Sequence, residues 1–217
     1  MKKEKRKDFI LAGCILLTFL LWTAAIHFID VEAIGPQGSF VGFATINQFI
    51  HNLTGVHMSL YTITDWLGLV PLAFVTGFAL LGLVQWIKRK RLSEVDRNIL
   101  ILGGFYIVVM AVYLLFELLV VNYRPVLIAG VLEASYPSST TMLVICIMPT
   151  TIMQFNRRIP NNIFKRLVSS VIIAFTVFMV IGRLVSGVHW FTDIIGGVLL
   201  SAGLVMMYRA VIRFAVR

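Results

Sequence analysis

"GRLVSGVHWFTDIIGGVLLSAGLVMMY", residues 182–208, sets an arginine, a histidine and an aspartate directly ahead of an apolar run that continues to about residue 212. About 20 apolar residues let a helix cross roughly 30 Å of hydrocarbon. Arg183, His189 and Asp193 therefore stand where a membrane helix begins. Gly196, Gly197, Ser201 and Gly203 give the run small residues, and the Gly197-x3-Ser201 pair suits close helix packing, either inside one bundle or across a homodimer.

The remainder of the chain repeats this apolar character. Of its 217 residues 59% are hydrophobic, and the mean hydropathy is +0.92, values of an integral membrane protein. Hydropathy divides the chain into six candidate spans, roughly 9–29, 64–87, 98–121, 139–155, 167–182 and 191–212. The N-terminal run is longer than the 7–15 residues of a signal-peptide core, so it reads as an uncleaved first span. No repeat or linker marks a second domain. The expected fold is all-α and polytopic, a single domain over 1–217 with six transmembrane helices.

Charge gives the orientation. Lys2, Lys3, Lys5, Arg6 and Lys7 precede the first span; Lys88, Arg89, Lys90, Arg91 and Arg97 follow the second. Arg157, Arg158, Lys165 and Arg166 follow the fourth, and Arg209, Arg213 and Arg217 close the chain. Seventeen of the 19 Lys and Arg thus fall on one side, which predicts that both termini are cytoplasmic. The same bias accounts for the net charge of +9 without a nucleic-acid partner. A short chain so biased fits a bacterial inner membrane. Cys14 and Cys146 lie in apolar runs and read as packed hydrophobes.

Residues 30–63 form the longest stretch outside the spans and fall on the outer side. Phe43, Ile46, Phe49, Ile50 and Leu53 recur there at helical spacing, predicting a short amphipathic helix on the outer face. Asp65 reads as a helix-start residue and Trp66 as an interface anchor. Pro71 and Pro149 are expected to kink the spans that contain them.

Three outer segments carry polar chemistry: "NYRP" at 122–125, "YPSSTT" at 136–141 and "GRLVSGVHWFTD" at 182–193. Arg124 and Arg183, the two cations outside the inner set, are forks suited to bidentate contact with phosphate oxygens, or else snorkelling interface residues. His189 and Asp193, four apart, share a helix face, where the carboxylate can hold one imidazole nitrogen and free the other to attack. Pro137, Ser138, Ser139 and Thr140 make a helix start whose free N–H groups and positive dipole end attract an anion.

These segments resemble the type 2 phosphatidic acid phosphatase family, whose motifs are Lys-x6-Arg-Pro, Pro-Ser-Gly-His and Ser-Arg-x5-His-x3-Asp. Arg124-Pro125 is similar to the end of the first, Pro137-Ser138 to the start of the second, and Arg183-x5-His189-x3-Asp193 to the core of the third. The likeness runs from about residue 60 onward. It implies that His189 attacks phosphorus to form a phosphohistidine, that Asp193 orients it, and that Arg124, Arg183, Ser138 and the backbone near Ser139 hold the phosphoryl oxygens. It also implies a lipid phosphate or pyrophosphate substrate drawn from the bilayer, and no metal or other cofactor.

The chain departs from the motifs at four positions. Glu117 stands where the family has lysine, Thr140 replaces the histidine, Gly182 replaces the serine before Arg183, and Ser139 replaces glycine. The missing histidine is the family's proton donor to the leaving group, and such general acid catalysis is worth roughly 10²–10⁴ in rate. A pyrophosphate loses less, because its leaving group is a phosphate with a second pKa of about 6. The expected substrate is therefore a polyprenyl (undecaprenyl) pyrophosphate, cleaved at the outer leaflet. Glu117 has three readings: it pairs with Arg124 or Arg183, it replaces the lost donor as a protonated acid, or it repels phosphate. Glu133 reads as a solvated loop residue. Two alternatives to hydrolysis stay open: an impaired relative that binds or transports a lipid phosphate, and a lipid phosphotransferase.

Overall fold

The computed structural model describes residues 2–215. Met1 and Arg217, the latter one of the cations counted above, lie outside the described residues. The described chain is built from helices: α1 (Lys2–Ile26), α2 (Ala44–Thr54), α3 (Met58–Leu67), α4 (Leu69–Arg89), α5 (Arg97–Leu118), α6 (Ser139–Arg158), α7 (Asn162–Val185) and α8 (Phe191–Ala215). No strand forms among the described residues; isolated antiparallel bridges join Glu32 to Val41 and Tyr123 to Ala134.

Five segments are long and apolar enough to cross a membrane: Arg6–Ile26, Met58–Arg89, Arg97–Leu118, Asn162–Val185 and Phe191–Ala215. Leu20, Ile87, Ile107 and Leu167 on four of them are more than half exposed, as side chains that meet lipid would be. The second segment joins α3 and α4 through Gly68 and begins six residues before the expected start at 64. That shift corrects the reading of Asp65, which lies in the last turn of α3 rather than at a helix start. Pro71 also changes role. It sits in the first turn of α4, where a proline breaks no intrahelical hydrogen bond.

α6 is the exception to the sequence expectation. It is 20 residues long, about 30 Å, yet it is not among the five apolar segments. Thr141, Thr150, Thr151 and Gln154 are buried in it. Three of the four are satisfied locally or where α6 packs on its neighbours: Thr150 Oγ1 donates to Cys146 O at 2.9 Å, Thr151 Oγ1 to Ile147 O at 2.9 Å, and Gln154 Nε2 to the Tyr208 hydroxyl at 2.7 Å. The helix runs on through Pro149.

α8 is the axis of the bundle. Half of its apolar window is buried, against 11–22% in the other four segments, and it packs on α1, α6, α5, α2 and α7. Small residues allow this approach. A Cβ on Gly203 would come within 2.6 Å of Leu16 in α1, and one on Gly197 within 3.2 Å of Ser138 O and Thr141 in α6. The small residues of the opening stretch thus serve contacts within one chain. Phe105 and Tyr208 (centroids 4.9 Å apart) and the stacked rings of Phe19 and Tyr136 (6.2 Å) fill the core around this axis.

In the 30–63 segment α2 exposes Ile46, Phe49 and Leu53 and buries Asn47. The Asn47 amide is what docks it: Nδ2 donates to Gly42 O and to Thr192 Oγ1, and Oδ1 accepts from Thr192 N.

Close packing at Gly197 makes it intolerant of bulk. Gly197→Val should lower stability by about 1–3 kcal/mol, read as a lower thermal midpoint in detergent. Gly103→Ala, whose Cβ meets nothing within 4 Å, should leave that midpoint unchanged or raise it.

Candidate active site

Asp193 is fully buried in the first turn of α8 and ties three segments together. Its Oδ2 accepts the Trp190 N–H at 2.9 Å, its Oδ1 accepts from Asn122 Nδ2 at 3.3 Å, and its backbone carbonyl accepts the Ser138 N–H at 3.1 Å. The segments quoted separately in the sequence as "NYRP", "YPSSTT" and "VHWFTD" thereby meet at one carboxyl residue. Between the first two, the chain folds back on itself, with Arg124 N donating to Glu133 O and Ser135 N to Asn122 O.

His189 projects from the turn before α8 and is 3% exposed. Its Nδ1 faces the Asp193 carboxylate, 3.8 Å away, with no hydrogen-bond partner in alignment. Its Nε2 lies 3.3 Å from Arg124 Nη1 and 3.1 Å from Arg183 Nη2. Guanidinium nitrogens only donate, so Nε2 presents its lone pair and the proton of the neutral ring sits on Nδ1. Burial, then the charges of Arg124 and Arg183, hold the imidazole pKa well below its ordinary value. The histidine is neutral at pH 7, with the lone pair of Nε2 aimed between two cations.

The cations are themselves held in place. Arg183, in the last turn of α7, is 1% exposed. Its guanidinium carbon stands 4.9 Å from the centroid of the Tyr61 ring, and that of Arg124 stands 6.0 Å from the same ring. Asp65, one turn beyond Tyr61 on α3, reaches Arg183 Nη1 at 3.8 Å. The α7–α8 turn locks onto the α2–α3 turn: Gly187 has φ +69°, and a Cβ there would fall 2.0 Å from Gly55 O, while His57 N donates to Ser186 O at 3.0 Å. Arg183 Nε and Nη1, Ser138 Oγ and Thr141 Oγ1 are buried without hydrogen-bond partners. Leaving a buried polar group unpaired costs on the order of 1–3 kcal/mol, and most of these atoms are donors that an anion would satisfy.

A pocket of about 360 Å³, counted to its open mouth, lies against this cluster, lined among others by Tyr113, Glu117, Arg124, Ser139 and His189. Ser139, the first residue of α6, stands at its wall, and the N–H groups at a helix start have no acceptor within their helix. Among the described residues no three His, Cys, Asp or Glu side chains gather as a metal set.

The PAP2 superfamily model matches residues 39–217. The chain belongs to the PAP2 superfamily. Its fold is also that of a solved structure, the transmembrane PAP2-type phosphatidylglycerolphosphate phosphatase from Bacillus subtilis, with a TM-score of 0.64 at 18% identity over 95% of this chain and 98% of that one. No curated protein matches the chain. The PAP2 match begins at 39 rather than near 60, and so takes in α2, whose Asn47 holds the start of α8.

Within this PAP2 site the structure brings His189, Arg124, Ser139 and Glu117 to one pocket and sets Arg183, Asp193 and Ser138 behind them. Thr140 is not among the lining residues; it takes a place in the first turn of α6 without replacing the motif histidine in the pocket. Glu117 pairs with neither arginine. Arg124 Nε has Glu133 Oε2 at 3.0 Å, and Arg183 has Asp65, whereas Glu117 faces the Tyr113 hydroxyl. Glu133, expected to be a solvated loop residue, is thus the counter-ion of a phosphate-type arginine. Sequence reading missed Tyr61, Asp65 and Asn122 as site residues. Only the i, i+4 placement of Tyr61 and Asp65 on one helix face pointed to a shared task.

Removing one of the two charges beside Nε2 should make the ring easier to protonate. In NMR titrations of labelled histidine, His189 should titrate well below the ordinary histidine range in the native protein and at higher pH in Arg124→Gln. Tyr61→Ala should loosen both arginines and raise KM for a phosphate substrate about 10-fold or more, with Tyr61→Phe near native.

Proposed function

We propose that the protein is a bacterial inner-membrane lipid phosphatase that cleaves a polyprenyl pyrophosphate at the outer leaflet through a phosphohistidine. The observation that carries this reading is the convergence of two buried arginines on the free nitrogen of one neutral histidine. In that reading α6 completes six spans and both termini are cytoplasmic, in keeping with the one-sided Lys and Arg distribution.

The chemistry then follows from the geometry. Arg124 and Arg183 take the oxygens of the terminal phosphoryl group, with the Ser138 hydroxyl and the α6 N-terminus completing the cradle. His189 Nε2 forms a bond to phosphorus as the bond to the bridging oxygen breaks, releasing the lipid monophosphate. The positive charge that develops on the ring is stabilised by the buried Asp193 carboxylate 3.8 Å from Nδ1. Water then attacks the phosphohistidine, the N–P bond breaks, inorganic phosphate leaves and the neutral imidazole returns.

The pyrophosphate assignment rests on the leaving group. Thr140 is not among the lining residues, and the one carboxyl side chain that lines the pocket is Glu117, beside Tyr113. A phosphate leaving group needs a donated proton least. The same absence favours a second reading, a relative that binds or carries a lipid phosphate without turnover.

Phosphate release by purified protein from polyprenyl pyrophosphate, polyprenyl phosphate, phosphatidic acid and phosphatidylglycerol phosphate separates these readings. Release should be fastest from the pyrophosphate and vanish in His189→Ala. Equal rates on phosphatidic acid would overturn the leaving-group assignment. Binding without release from any substrate would establish the second reading. Glu117→Gln should slow phosphatidic acid cleavage more than pyrophosphate cleavage, by about 10-fold or more.

A further inference from the structure

The opposite end of the bundle holds a second cationic pocket, between the C-terminal turns of α6 and α8. It has about 750 Å³ of empty volume counted to its mouth and is lined by Gln154, Arg157, Tyr208, Arg209, Ile212 and Arg213, among others. It is separated from His189 by the length of α6, about 30 Å.

Among the described residues no carboxylate lines this pocket, and Asp96 and Asp8 near it are already engaged. Asp96 serves Arg89 at 3.4 Å and Arg158 at 3.9 Å, and Asp8 takes Arg213 at 2.6 Å. Arg157 is left with the neutral Asn98 side chain as its acceptor. Arg209 is half-buried and has no ion-pair partner among the described residues. Two like charges thus flank one cavity with no carboxylate between them, an arrangement that an anion relieves.

The floor is built for a hydrogen-bonded ligand. Tyr208 is 2% exposed and Gln154 is 1% exposed. Because Gln154 Nε2 donates to the Tyr208 oxygen, the phenol proton remains free to donate. Met153 and Ile212 add apolar wall beside the arginines, and α8 is one of the apolar segments able to cross a membrane. A cation pair, a phenol donor and apolar wall where two helices reach the membrane boundary match a phosphodiester headgroup with its glycerol and first acyl carbons.

We propose that this pocket binds the headgroup of an anionic phospholipid, held by Arg157, Arg209 and Tyr208, at the membrane face opposite the PAP2 site. The site is independent of the reaction proposed for His189.

Thermal unfolding in mixed micelles of phosphatidylcholine or phosphatidylglycerol tests it. Phosphatidylglycerol should raise the midpoint by about 2–4 °C over phosphatidylcholine. Arg157→Gln with Arg209→Gln should lose most of that rise while keeping the native midpoint in phosphatidylcholine and native phosphate release. Arg97→Gln, an exposed inner cation outside the pocket, should keep the rise. Equal midpoints in the two lipids, or a full rise in the double variant, would overturn the proposal. The same rise with inorganic phosphate alone would show a free-anion site and overturn the lipid assignment.

Discussion

One buried carboxylate organises the PAP2-site end of this molecule. Asp193 accepts from Asn122 and from the Trp190 backbone, and its own carbonyl receives the Ser138 N–H. Through it the loop bearing Arg124, the start of α6 and the start of α8 share a common origin. The arginines then need only local support, which α3 supplies through Tyr61 and Asp65. Because Asp193 is spent on these positioning bonds, it meets the imidazole through space at 3.8 Å rather than through an aligned hydrogen bond.

Much of this was legible in the sequence because its signals are local. Hydropathy located the long helices to within a few residues, and the Arg183, His189, Asp193 spacing marked the PAP2 third motif before any contact was known. What could not be read were contacts between distant segments. Nothing near Tyr61 announces that its ring will meet two arginines, one 63 and the other 122 positions away. Glu133 looked solvated for the same reason, since its partner is fixed by a fold-back of the loop rather than by helical spacing. α6 differs from the other expected spans in composition. Its length fits a span, but Thr141, Thr150, Thr151 and Gln154 turn inward, and it is not among the apolar segments.

The glycines of α8 and the polar face of α6 are complementary solutions to one packing problem. An axis touched on several sides must be thin, and a helix pressed against it must satisfy its hydroxyls without water. Ser201 shows both at once, its hydroxyl donating to Gly197 O at 2.7 Å within α8 and lying 3.2 Å from Met142 O in α6. A core so arranged depends on shape and internal hydrogen bonds, because between helices in lipid the hydrophobic effect contributes little.

The ion pair between Arg124 and Glu133 has a consequence for what the pocket ignores. A bilayer surface is crowded with phosphodiesters, each carrying a single negative charge. Any such headgroup that drifts to the mouth finds Arg124 already neutralised at 3.0 Å by a tethered carboxylate of equal charge. In the function proposed above, displacing that carboxylate would favour a terminal phosphoryl group, which carries a second charge and a third free oxygen. Glu133 would then act as a resident competitor against the abundant lipids that surround the site.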